Sequence, residues 1–393
     1  MDLRGRNLLK ETDLTSDEFM YLVDMAGCLR QQKRSGLRHN RLAGKNIALV
    51  FEKSSTRTRS AFEVAAHDEG AHITYLGPGD AHLGRKESVK DTARVLGRMF
   101  DGIEYRGSSQ DAVELLGAYA GVPVWNGLTD AWHPTQMLAD VLTMRDHCRK
   151  PLTAVSCCYL GDGSAAGSLL VTAALLGLDL RICAPETLPP LREVQSMADA
   201  LAAESGARLT ATTKVPAGVA GADFLYTDIW LRTTAPPTVW EYRISQLLPY
   251  QVDAHVMEAT GNPSVRFMHP LPSLHDTQTS ISREVYERFG VAALEVTEEV
   301  FESPASVVFD QAENRMHTIK ALMIATLGSW EQDEKGSFQA LPPFGELHWA
   351  LPPACRLPLR QMRAARGTVV VLYSIIVESF TKPKMAVLIF ACN

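Results

Sequence analysis

Apolar residues in this chain fall into short blocks, and polar stretches with helical spacing separate them. Compact runs at 46–51, 72–76, 102–106 and 122–126 read as strands. Between them, 58–69, 87–100 and 110–119 place apolar side chains on one helical face, as with Val89, Ala93, Leu96 and Phe100. A helix at 134–146 begins with Pro134, which suits a first-turn position. The pattern then repeats, with strands at 153–160, 180–184, 208–212, 223–227 and 265–268, and helices at 164–176, 192–204 and 237–248. The first helix opens on Thr15-Ser16-Asp17-Glu18, a capping box, with Leu14 and Phe19 at the staple positions.

Repeated strand–helix units predict parallel sheets covered on both faces. Two such series predict an α/β chain of two doubly wound parallel-sheet domains, 1–140 and 141–310. A helix at 311–328, with Asp310 as its expected cap, returns to the first domain. From 329 to 393 the character changes: prolines at 342–343, 352–353, 358 and 383 break any helix, and two β-prone blocks close the chain. This atypical tail reads either as a true extension or as the product of a shifted reading frame.

The 393 residues carry a net charge of −6, which disfavours nucleic acid and anionic membrane as partners. The start of the chain lacks an apolar signal core, and no apolar run approaches the roughly 18 residues of a membrane span. The seven cysteines (28, 148, 157, 158, 183, 355 and 392) form no CxxC pair, so reduced thiols and a cytoplasmic location are expected.

The strongest chemical signal is Phe51-Glu52-Lys53-Ser54-Ser55-Thr56-Arg57-Thr58-Arg59, which joins a predicted strand to a predicted helix. Hydroxyls and guanidinium groups gather where free backbone N–H groups point outward, which is a phosphate site in physical terms. It is not a Walker loop, because GxxxxGK[ST] is absent. A rival motif, Gly161-Asp162-Gly163-Ser164-Ala165-Ala166-Gly167, resembles a dinucleotide turn. Its spacing is GxGxxxG and its acidic partner, Glu186 after Pro185, comes late, which argues against an NAD-linked dehydrogenase.

Ser55-Thr56-Arg57-Thr58-Arg59 resembles the carbamoyl-phosphate motif of the aspartate and ornithine carbamoyltransferases. Lys86-Glu87-Ser88, Tyr105-Arg106-Gly107, His133-Pro134-Thr135-Gln136 and Phe309-Asp310-Gln311-Ala312-Glu313-Asn314-Arg315 are similar to the ornithine branch, in the same order, and the resemblance spans about residues 5–328. It implies that Ser55, Thr56, Arg57 and Thr58 hold phosphate, and that His82 reaches the site of a neighbouring subunit. It implies that Arg106, His133 and Gln136 meet the carbamoyl end, and that His269, Pro270 and Leu271 frame the reacting carbon. Arg106, His133 and His269 are the expected catalytic residues; Arg315 supports the pocket and Asp228 holds the ornithine α-amino group. Thr58, Arg106 and His133 would donate hydrogen bonds to the carbonyl oxygen as charge develops. Carbamoyl phosphate is already activated, so neither cofactor nor metal is expected. The resemblance implies a homotrimer that makes citrulline from ornithine.

Departures from the family pattern cluster on the acceptor side. The asparagine pair expected after Gly161-Asp162 is missing. Leu231-Arg232-Thr233-Thr234 replaces the Ser-Met-Gly loop, and His269-Pro270-Leu271-Pro272 replaces His-Cys-Leu-Pro. Leu271-Pro272 is an expected cis bond. Two alternatives therefore stand beside ornithine transfer: a carbamoyltransferase for another amine or amino acid, or a non-catalytic relative that only binds or assembles.

Overall fold

A computed structural model describes residues 1–328, except 38, 81–83, 85 and 232–235, together with strands at 370–377 and 384–391. The chain divides into two units, Met1–Gly336 and Ser337–Asn393.

The first unit contains two parallel sheets. One has four strands, β1 (Asn46–Phe51), β2 (His72–Leu76), β3 (Gly102–Arg106) and β4 (Val124–Leu128), in the order β2-β1-β3-β4. The other has five, β5 (Ser156–Leu160), β6 (Asp179–Cys183), β7 (Arg208–Thr212), β8 (Phe224–Tyr226) and β9 (Arg266–Met268), in the order β7-β6-β5-β8-β9. Central strands are buried along nearly their whole length, as helices on both faces require. Ala48, Val50, Ile103, Tyr105 and Leu116 belong to a core under the first sheet; Cys158, Leu160, Leu225, Phe267 and Val300 belong to one under the second.

Helix starts follow local chemistry. Thr15 and Glu18 form the expected capping box before Ser16–Arg34. The helix Thr56–Asp68 begins two residues earlier than its apolar spacing predicts, because the Ser55 hydroxyl accepts the Thr58 backbone N–H. The C-terminal helix is Val308–Leu327 and packs on Ser16–Arg34, Thr56–Asp68 and Pro134–His147, which returns it to the first sheet's layer. Asp310 is not its cap. It lies in the first turn, where its carboxylate suits the helix dipole and pairs with His147 Nε2 at 2.9 Å. Short helices at Val215–Val219, Ala254–Ala259, Ser280–Phe289 and Glu298–Phe301 were not predicted, since four to ten residues carry too little periodicity.

In the second unit, Val370–Val377 and Lys384–Ala391 pair antiparallel, consistent with the β-prone composition of the tail. Among the described residues no helix is long and apolar enough to cross a membrane.

Candidate active site

The order β2-β1-β3-β4 reverses direction between β1 and β3, and ligands of open α/β sheets bind at the strand C-termini beside such a switch. The segment 52–58 leaves β1 there, and Arg106 ends β3 there. The second sheet switches at β5, so Gly161-Asp162 and, after β8, Thr227-Asp228 lie at its corresponding edge.

A register shift between Tyr105 and Arg106 pairs Arg106 with Leu128. Such a bulge re-aims the side chain that follows it. Arg106 Nη1 donates to Thr58 Oγ1 at 2.9 Å and to the Gly127 carbonyl at 3.4 Å. Arg315 Nη2, from the returning helix, donates to the same hydroxyl oxygen at 3.0 Å. Thr58 is fully buried. The structure therefore places it beneath the two guanidinium groups as their anchor, not as an open contact. Arg57 lies half-buried nearby, and burial lowers its pKa. Burial, then Arg106 and Arg57, push Arg315 down to about 9, the mark of three cations sharing one region. Thr56 is exposed at the start of the helix and Ser55 caps it.

His133 precedes the helix Pro134–His147. Burial, Arg315 and Arg106 hold its imidazole well below the usual range, so the ring is neutral. Gln136 donates from Nε2 to Asp140 Oδ1 at 2.7 Å. Asp140 also accepts from Gln311 Nε2 at 2.7 Å and the Tyr226 hydroxyl at 2.8 Å. Burial raises the Asp140 carboxyl to about 6 against these three donors. Gln311 Oε1 in turn accepts the His269 backbone N–H at 2.9 Å. One buried chain of amides and a carboxyl thus ties Gln136 to the 269–272 turn.

That turn contains a cis Leu271-Pro272 bond, as expected, and a left-handed Leu271 with φ of 56°. The Leu271 N–H donates to His269 Nδ1 at 2.9 Å. His269 itself is fully buried, with Nε2 3.6 Å from Glu295 Oε1. Its Nδ1 shapes the turn, while its Nε2 is buried without a hydrogen-bond partner. Asp228 accepts the Ile229 N–H at 2.7 Å, and burial raises its carboxyl although His269 opposes this. Among the described residues no Lys or Arg pairs with it. His82 and Arg232 lie outside the described residues.

Several buried polar atoms in this region lack a partner. They include Glu104 Oε1 and Oε2, Arg106 Nε, Arg315 Nε, His133 Nε2 and Gln136 Oε1. Natural proteins pair such atoms, so a cluster of them marks a place prepared for another molecule. Glu104, Asp140 and Gln311 were missed from sequence. A visible signal existed for Glu104, a charged residue in the middle of a strand flanked by strands on both sides.

The rival turn closes on itself. Asp162 Oδ1 accepts the Ser164 N–H at 2.9 Å and the Ser164 hydroxyl at 2.6 Å, and Arg243 holds Oδ2 at 2.7 Å. A carboxylate already occupies the place a pyrophosphate would need. A separate cleft lined by Pro185, Glu186, Pro190, Thr212 and Lys214 contains none of the candidate residues.

Residues 6–146 match the family described as aspartate/ornithine carbamoyltransferase, carbamoyl-P binding domain, and residues 153–326 match its Asp/Orn binding domain. The chain is 54% identical over 330 residues to the catabolic ornithine carbamoyltransferase of Rhizobium meliloti (strain 1021), covering 83% of this chain and 99% of that protein. Among solved structures it resembles the ornithine carbamoyltransferase of Pyrococcus furiosus, with 37% identity, a TM-score of 0.77, and coverage of 84% of this chain and all of that one. The Gloeobacter violaceus enzyme is similar at 33% identity and a TM-score of 0.69, again over 84% of this chain and 100% of that one. With both of its domains matched in order, this chain belongs to the aspartate/ornithine carbamoyltransferase family of enzymes.

Proposed function

We propose that the chain is an ornithine carbamoyltransferase, converting carbamoyl phosphate and ornithine to citrulline and phosphate. The observation that carries this reading is the convergence of Arg106 and Arg315 on the Thr58 hydroxyl, beside Arg57, at the start of a helix. Guanidinium forks and free backbone N–H groups are the donors a phosphate needs.

The ligand's phosphate lies against Ser55, Thr56 and Arg57. Its carbamoyl end reaches Arg106, His133 and Gln136. The Gln136 amide is oriented by Asp140, so its carbonyl oxygen is the free end and accepts a carbamoyl N–H. The carbonyl groups of Pro270 and Leu271 accept the other. A neutral amine attacks the carbonyl carbon, negative charge develops on its oxygen, and Arg106 stabilises it. The C–O bond to phosphate then breaks, the departing phosphate takes up the proton that the attacking nitrogen releases, and the arginines hold the resulting anion. Asp228 holds the α-ammonium of ornithine. The 54% identity to a catabolic ornithine enzyme supports this acceptor over other amines. By resemblance the assembly is a homotrimer and its location cytoplasmic.

The test is an incubation with carbamoyl phosphate and, separately, ornithine, putrescine, acetylornithine and aspartate, with products read by mass. Citrulline as the dominant product is expected. A different ureido product at a higher rate would replace ornithine as the acceptor, and no turnover with intact ligand binding would favour a role in binding alone. Arg57→Ala should weaken carbamoyl-phosphate affinity by about 10- to 100-fold, the loss of one charge-assisted contact of ~1.5–3 kcal/mol. Unchanged affinity by calorimetry would remove Arg57 from the site.

A further inference from the structure

We propose that Glu104 accepts a proton from solvent when carbamoyl phosphate enters the arginine cluster, so that ligand binding and proton uptake are one coupled event. The inference rests on the proposed reading of the site and adds a proton to its binding equilibrium.

Glu104 sits on β3, between β1 and β4, and is fully buried. Neither carboxyl oxygen has a hydrogen-bond partner. Its Oε1 lies only 1.9 Å from where a Cβ on Gly127 would stand, and Thr58 Cγ2 lies 3.1 Å from that same point. Only glycine at 127 leaves room for the carboxyl. Arg106 Nη1 binds the Gly127 carbonyl and the Thr58 hydroxyl, and Arg315 Nη2 binds that hydroxyl too. Glu104 therefore stands among two guanidinium groups and hydrogen-bonds neither.

In that position only the through-space attraction of Arg106 and Arg315 favours the charged form of Glu104. Burial raises its pKa well above the ordinary value, while Arg106 and Arg315 oppose the rise. A phosphate that pairs with Arg57, Arg106 and Arg315 cancels that opposition and adds a like charge nearby. Arg57, Arg106 and Arg315 face the carboxyls of Glu104 and Asp140, and protonating Glu104 enlarges the positive surplus that a dianion meets. Two other titratable groups face the same cations. Asp140 is held by three donors, and neutral His133 lies beside Arg315 and Arg106. His133 would also favour a proton once an anion is bound, so the experiment must separate the two.

The experiment titrates the full chain and its Glu104→Gln variant with phosphonoacetamide, a stable phosphonate relative of the ligand. Calorimetry in buffers of differing ionisation enthalpy, from about pH 6 to 9, counts protons exchanged on binding. The ligand and His133 titrate alike in both proteins, so the difference isolates Glu104. At some pH in this window the wild type should take up more protons than the variant, by up to about one per site. Its affinity should also fall more steeply with rising pH, by as much as ~10-fold per unit. Equal proton counts and equal pH slopes, with the ligand bound, would overturn the inference alone. Absence of binding to the wild type would overturn the site itself. Should Glu104→Gln fail to fold, infrared difference spectra of the wild type decide: a protonated-carboxyl band that grows on binding supports the inference, and no such band overturns it.

Discussion

Arg106→Ala should lower kcat/KM for carbamoyl phosphate by about a thousandfold, or ~4 kcal/mol of transition-state stabilisation. On the proposed assignment three losses combine. The charge nearest the carbonyl oxygen disappears. The donation to Thr58 Oγ1 goes with it, so Arg315 alone holds that hydroxyl. Glu104 keeps its burial but loses one of the two cations that oppose its rise in pKa. Removing a single donor from an oxyanion site already costs about 10²–10³ in kcat. Arg106→Lys should recover only part of the loss, because an ammonium cannot reach the Gly127 carbonyl and the Thr58 hydroxyl while presenting a fork to the ligand. Initial-rate measurements with ornithine as acceptor provide the check. A decrease of less than tenfold in the alanine variant would mean that Arg106 only closes the end of β3.

Asp68→Ala should destabilise the fold by about 3 kcal/mol without touching the candidate site. Lys320 points inward from the returning helix and is only 3% exposed at its side chain. Its ammonium pairs with Asp68, at the end of the helix Thr56–Asp68, and Lys33 joins from a third helix. Removing the carboxylate leaves a buried ammonium unpaired, the costly case for an ion pair. Replacing Lys320 by Met in the same protein should restore much of the stability, since neither charge then remains buried alone. The pair also has a pH signature. Burial by itself would raise the Asp68 carboxyl, yet the hydrogen bonds from Lys320 and Lys33 hold it below the ordinary value. A depressed folded-state pKa contributes stability that is complete above the unfolded carboxylate range and is lost as pH falls through the folded value. Melting curves should therefore converge for wild type and Asp68→Ala as the solution is acidified below about pH 4. Equal melting temperatures at neutral pH would show that Lys320 finds another partner or water.

Strands 46–51, 72–76, 102–106 and 208–212 are observed with the predicted limits, and in 46–51 a continuous apolar run leaves little choice. Limits slipped where a side chain or a bulge intervened. Ser55 pulled a helix start forward, and the shift at Tyr105/Arg106 accompanied a β4 that runs 124–128 instead of 122–126. The motif around Ser55–Arg59 was legible because its chemistry is consecutive in the chain. Glu104 was not, because its meaning depends on Gly127 and on Arg315, which arrives from more than 200 residues away.

Local patterns in the chain were enough to give two wound parallel sheets and their order of elements, and to mark one strand–helix junction as the candidate phosphate site. Periodicity, caps and consecutive donors act over a few residues, and that range is readable in one dimension. The partnership of each donor required the folded molecule. Only there is Thr58 sealed beneath two guanidinium groups, His269 turned inward to shape a loop, and Asp140 made the knot joining Gln136 to the 269–272 turn. Burial and the field of distant charges set how each of these groups ionises, and both arise only when remote segments close around the same point.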